Sequence, residues 1–156
     1  MSDASLKTPQ FAWPVRVYWE DTDAGGVVFY ANYLKFFERA RTEWLRSWGP
    51  SQEALRSSGA GMFVVSETQL RYLQPAVLDD LLHITVELLE VGRASMTVRQ
   101  QAWREQTLIC QGSIRIGWVQ KTPEGGLRPA RMPADLVACL MALTQASPPS
   151  ASGVAQ

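Results

Sequence analysis

Residues 20–33 read EDTDAGGVVFYANY. Three carboxylates, a double glycine and three aromatics are crowded into this stretch, immediately before a helical pattern begins. Asp21 and Asp23 are two apart, so an extended backbone points them to one face, with Glu20 opposite. Gly25-Gly26 permits positive φ and close approach of a ligand to the backbone. The residues that follow lead into a helix N-terminus, which carries about half a positive charge and unpaired N–H donors. An anionic group beside an electropositive donor end suits attack on a carbonyl: the carboxylate supplies or activates the nucleophile, and N–H groups hold the developing oxyanion. Asp-x-Asp before Gly-Gly is also an ordinary turn composition, and an Asp near a helix start is often a cap. Spacing alone leaves both readings open.

Upstream, FAWPVRVYWED (11–21) reads as a strand starting near Val15 and ending at the acids, with Pro14 at its start, where a missing N–H is tolerated. Downstream, Tyr33, Phe36, Phe37, Ala40, Trp44 and Trp48 recur at helical spacing. Asn32 is the expected N-cap and Gly49-Pro50 the stop. Arg39 and Glu43 stand at i, i+4, where opposite charges pair. A stripe of such large side chains must pack against something broad. A short helix follows at Ser51–Arg56, then four strand patterns: Phe63–Tyr72, Leu81–Val91, Ala94–Arg104 and Thr107–Val119. Gly92-Arg93 and Glu105-Gln106 read as hairpin turns, Asp79-Asp80 as a solvated turn and Glu124-Gly125-Gly126 as a further turn. A last amphipathic helix starts near Pro133.

Strand, long helix, then an antiparallel meander is an α+β order, in which one sheet curls around one helix. Such a sheet leaves edges and an uncovered surface, so self-association is expected. The 156 residues fit one domain. It is assigned to residues 12–144, with a disordered N-terminus over 1–11 and a disordered Pro/Ser/Ala-rich tail over 145–156. Fifteen basic and fifteen acidic residues cancel, which argues against a nucleic-acid partner. No apolar run is long enough for a membrane span, and MSDASLKTPQ lacks the apolar core of a secretory signal, so a cytoplasmic location is expected. Cys110 and Cys139 are too few for a disulfide framework, and each is expected to be a buried small hydrophobe. With His83 the only histidine, no metal site and no cofactor is expected. Alternation places His83 with Thr85 and Glu87, opposite Ile84, Val86 and Leu88, as a half-exposed strand residue. The six tryptophans are scattered over different elements, which suits core and interface packing better than a stacking platform.

VRVYWEDTDAGGVVFYANYLKFFERARTEWLR (15–46) resembles the opening of the hotdog-fold acyl-CoA thioesterases, closest to the Tol–Pal-associated group and more distantly to the 4-hydroxybenzoyl-CoA thioesterases. The likeness extends through FVVSETQLRYLQPAVLDDLLHI (63–84) and VGRASMTV (91–98), covering roughly residues 12–134. It implies a hotdog fold, an antiparallel sheet around one long helix, assembled as homodimers or homotetramers with the site at a subunit interface. It implies an acyl-CoA substrate, or one on acyl-carrier protein, hydrolysed without metal or redox cofactor. By the same resemblance Asp23 is the catalytic carboxylate, the backbone N–H of Tyr30 polarises the thioester carbonyl, and Gly25, Gly26, Arg93 and Ser95 bind substrate. Tol–Pal-associated members often carry histidine where this chain has Tyr30, so no role for a histidine side chain transfers. Two alternatives remain: a hotdog enoyl-CoA hydratase or dehydratase, which needs an aspartate–histidine pair but meets Val28 five residues after Asp23, and a non-catalytic acyl-CoA-binding protein.

Overall fold

The computed structural model describes residues 11–145. The expected N-terminal and C-terminal tails lie, apart from Phe11 and Gln145, outside the described residues. Strand β1 (Phe11–Arg16) leads through a 3-10 turn (Trp19–Asp21) and a second one (Tyr30–Asn32) into α1 (Tyr33–Trp48). Then come α2 (Gln52–Ser57), β2 (Met62–Tyr72), β3 (Leu81–Val91), β4 (Ser95–Arg104), β5 (Thr107–Lys121), β6 (Leu127–Pro129) and α3 (Ala134–Gln145). All strand pairs are antiparallel, in the spatial order β1-β3-β4-β5-β2, with β6 added to the end of β5. No described helix is long and apolar enough to cross a membrane.

The large-residue stripe of α1 does what its size requires. Tyr33, Phe36, Phe37, Ala40 and Trp44 are buried, joined by Leu45. They meet the inner face of the sheet: Leu82, Ile84, Val86 and Leu88 of β3, Val98 and Ala102 of β4, and Ile114, Ile116 and Trp118 of β5. Each large apolar side chain so covered contributes about 1.5–3 kcal/mol. Trp48 is only half-buried and stacks edge-on against Trp44, with ring centroids 5.2 Å apart. Gln100 is the one inward-facing polar residue of β4, fully buried, and its amide donates to the Phe37 carbonyl of α1 (3.0 Å). Leu136 and Leu140 of α3 close the same core.

Several local expectations change. β1 begins at Phe11 rather than near Val15 and stops at Arg16, short of Glu20 and Asp21, because the chain curls into the 3-10 turn that contains them. Asp21 and Asp23 therefore do not share the face of an extended strand. α1 begins at Tyr33 with Asn32 at its N-cap position, as expected, but Asn32 makes no side-chain cap bond, because its φ and ψ are already helical and a 3-10 turn from Tyr30 precedes α1. Glu43 pairs with Arg46 (2.7 Å) instead of Arg39, taking the cation nearer the helix C-terminus. The Asp79-Asp80 turn is solvated only at Asp79, which is exposed; Asp80 binds Arg104 at 2.8 Å and accepts from the Val77 N–H. Cys110 is buried, but Cys139 is exposed: α3 sends Leu136 and Leu140 inward and leaves position 139 on the other face. His83 is exposed rather than half-exposed, while Thr85, on its face by alternation, is buried with its hydroxyl accepting the Gln101 N–H (3.1 Å). β6 follows the expected Glu124-Gly125-Gly126 turn and has no counterpart in the sequence pattern, since three residues carry no periodicity.

β2 and β5 approach so closely at Gly112 that an added methyl would overlap the Gln69 carbonyl, a backbone atom that cannot swing away. Gly112→Ala is expected to destabilise the fold by about 1–3 kcal/mol or more, seen as a lower urea midpoint.

Candidate active site

The residues between β1 and α1 form a small closed hairpin. Thr22 bridges Val28, Asp23 N–H donates to the Val27 carbonyl (2.9 Å), and Gly26 N–H donates to the Asp23 carbonyl (3.0 Å). Gly26 takes φ +79°, so glycine is required there. Asp23 Oδ1 accepts from the Gly25 N–H (2.8 Å) and more weakly from the Val27 N–H (3.4 Å). Its Oδ2 has no partner among the described residues, and the side chain is exposed. A Cβ at position 25 would stand 3.2 Å from Oδ1, so glycine there leaves room for the carboxylate. The amides of Gly25 and Gly26 are thus engaged in shaping the turn.

The hairpin is stitched to the loop after β2. Val28 N–H donates to the Ala76 carbonyl (2.8 Å), Val27 bridges Val77, and Arg104 holds that loop through the Pro75 carbonyl (3.0 Å) and Asp80. Tyr30 opens the 3-10 turn that leads into α1. Its N–H has no acceptor among the described residues, as expected of a first-turn donor. Its carbonyl accepts from the Tyr72 hydroxyl (2.9 Å), which ties the end of β2 to the helix start. Tyr33 and Tyr72 pack ring against ring at 5.7 Å.

Asp21 has a different place from Asp23. It is buried, its Oδ2 accepts the Tyr18 N–H (2.7 Å), and its Oδ1 accepts the Asn32 side-chain amide (2.9 Å). Its backbone carbonyl also takes the Phe29 N–H (3.0 Å). Asn32, freed from capping, is the inner partner of this acid. The pair is eleven positions apart, and no periodicity marks it. Tyr72 was likewise missed; the only signal was an aromatic at the end of a strand before Gln74-Pro75.

Arg93 and Ser95 stand elsewhere. They belong to the β3–β4 turn, where Gly92 N–H donates to the Ser95 carbonyl and Met132 N–H to the Arg93 carbonyl. Arg93 is exposed and Ser95 half-buried. The other end of β3 abuts the loop stitched to the Asp23 hairpin, so the eleven residues of β3, roughly 33 Å, separate the two groups within one chain. His83 is exposed on β3, beside Pro14 and Trp103 in the pairing. Among the described residues no group of three histidine, cysteine or acidic side chains is arranged to hold a metal.

An antiparallel sheet folded over one long helix, with an acid-bearing glycine hairpin at the helix start, is the architecture of the hotdog-fold thioesterases. The chain belongs to the thioesterase superfamily, whose model matches residues 25–111, and it is a thioester hydrolase. It is 40% identical over 128 residues to the acyl-CoA thioesterase YbgC of Haemophilus influenzae, covering 82% of this chain and 92% of that one. It is equally 40% identical over 134 residues to the acyl-CoA thioester hydrolase YbgC of an Escherichia coli strain, covering 85% and 97%. Among solved structures, a probable thioesterase from Bartonella henselae superposes with a TM-score of 0.71 at 32% identity, over 78% of this chain and 98% of that one. A 4-hydroxybenzoyl CoA thioesterase superposes with a TM-score of 0.76 over 83% and 96%, and at 20% identity it shares the fold.

Burial pushes the Cys110 thiol up to about 12 and, with the neighbouring Cys110 adding to it, the Tyr33 hydroxyl up to about 12. Both groups are neutral when protonated, so the folded state keeps protons that the unfolded chain releases first. Their contribution is present below the ordinary thiol and phenol range and is lost as pH rises from there toward about 12. A disulfide reagent at about pH 8 is expected to modify Cys139 alone in the folded protein and both cysteines in denaturant. Asp21→Ala, which orphans two donors, is expected to lower stability by about 1–3 kcal/mol in urea unfolding.

Proposed function

We propose that this chain hydrolyses an acyl-CoA thioester to the free acid and CoA, with Asp23 as the reacting carboxylate. One observation carries this reading: Asp23 has one oxygen fixed by the Gly25 amide and the other without a partner, on the hairpin that delivers the chain to the open N–H of Tyr30. The relatives named as acyl-CoA thioesterases, similar over nearly their whole length, support the substrate class.

The thioester carbonyl oxygen rests on the Tyr30 N–H, where the helix dipole adds to the stabilisation of a developing oxyanion. Asp23 then acts in one of two ways. Its free oxygen attacks the carbonyl carbon, expelling the CoA thiolate and leaving a mixed anhydride that water cleaves. Or it takes a proton from a water that attacks the same carbon, the thiolate again leaving. Both routes consume one water and yield one acid and one thiol. A hydration reaction is disfavoured because the only histidine is exposed on β3 and no acid–base pair with Asp23 is built.

The chain associates through β2, the long open edge of the sheet, as a homodimer or homotetramer. Arg93 and Ser95, remote from Asp23 in their own chain, then act on the CoA portion only from another copy. Arg93→Ala is accordingly expected to raise KM with little change in kcat.

Asp23→Asn is expected to reduce kcat for acyl-CoA hydrolysis by at least tenfold, with KM within about threefold of wild type, measured by release of free thiol. A variant that keeps more than a tenth of wild-type turnover removes Asp23 from the reaction.

A further inference from the structure

Among the described residues, part of the inner face of β2 is left uncovered. Val65 pairs with Ile116 and Thr68 with Ile114, both inward-facing residues of β5, yet Val65 is 49% exposed and Thr68 is exposed too. A groove therefore runs between α1 and β2. At one end the Tyr72 hydroxyl reaches the Tyr30 carbonyl. The other opens into a cavity of about 350 Å³ lined by Arg41, Glu38 and Thr42 of α1 and by Phe63, Met96 and Ile116 among others.

Arg41 is unusual in this cavity. Its Nη1 donates to Gln100 Oε1 (2.8 Å), and Gln100 is fully buried with its amide nitrogen committed to the Phe37 carbonyl. The carbonyl end of Gln100 is therefore fixed toward the guanidinium. No carboxylate lies within ion-pair distance of Arg41 among the described residues. Burial lowers the Arg41 pKa from its ordinary value, and Glu38 opposes that shift at longer range. A half-buried cation with one protein hydrogen bond out of five possible donors is expensive unless something else accepts from it.

We propose that the groove between α1 and β2 holds the acyl group of the substrate, and that Arg41 with Glu38 selects acyl groups bearing a hydroxyl at the far end. The inference rests on the thioesterase reading above and names its substrate class. Arg41 lies eleven residues beyond Tyr30, about 16 Å along the helix, and its side chain leans back toward the helix start. That places the guanidinium where the far end of a medium-length acyl group falls when its carbonyl sits on Tyr30. The chemistry of the wall decides the substituent. Glu38 and Arg41 together are neutral, so a carboxylate gains from one and is repelled by the other. A methyl leaves the guanidinium donors unpaired. A hydroxyl accepts from Arg41 and can donate to Glu38.

The test is a set of CoA thioesters matched in length, hexanoyl and decanoyl, each with a methyl, a hydroxyl or a carboxylate at the terminal carbon, hydrolysed by the full-length protein. The hydroxyl member of at least one set is expected to exceed the methyl and carboxylate members in kcat/KM by about tenfold or more. Arg41→Met is expected to bring the hydroxyl-to-methyl ratio below about threefold, and Arg41→Lys to restore part of it. Equal rates for methyl and hydroxyl members in wild type overturn the inference while leaving the thioesterase reading intact, and need no variant to fold. A ratio unchanged in a folded Arg41→Met variant also overturns it, and if the dimer weakens at the same time the guanidinium belongs to the subunit contact. Absence of thiol release from every member overturns the thioesterase reading itself, and this inference with it.

Discussion

The buried contact between Asp21 and Asn32 is the constraint on which the rest of this architecture depends. One carboxylate, cut off from water, receives the Tyr18 amide before the hairpin and the Asn32 amide after it. It thereby fixes both ends of the stretch that carries Asp23. A buried acid is tolerable only when its oxygens are occupied, and here each has a donor. The two aspartates divide the labour that their spacing alone left ambiguous: one holds the geometry, and the other is left exposed with a free oxygen.

That division also accounts for what the sequence could and could not tell. The helix, its aromatic stripe and the four long strands were legible because each repeats a period over many residues, and Leu81–Val91 was placed to the residue. The start of α1 after Asn32 was legible too, but not the role of the Asn32 side chain: an Asn before a helical run reads as a cap, whereas this one turns its amide away to Asp21. Asp80 was misread for a similar reason: acid pairs in turns are usually wet, and only the fold brings Arg104 beside this one. Asp23, Gly25, Gly26 and Tyr30 fall on one short segment, so their proximity was visible in sequence. The distance between that segment and Arg93 was not, because it is set by the length and direction of β3.

The site is also supported from a side that local pattern does not reveal. The loop after β2 lies against the Asp23 hairpin through Val28 and Ala76, and Arg104 pins that loop from the end of β4. Tyr72 adds a tie from the end of β2 to the first turn of the helix. The Asp23 hairpin, the helix start and the end of the edge strand are therefore tied together, although they are contributed by three separate stretches of chain.

β2 ends this block on one side and is itself unfinished: along its outer edge a row of amides and carbonyls has no neighbouring strand among the described residues. Whatever adds a strand there stabilises the native form by an amount that grows with its own concentration, by mass action. Dilution would then loosen the end of the strand that Tyr72 fastens to the helix start, coupling resistance to unfolding and the poise of the Asp23 hairpin to a single association equilibrium.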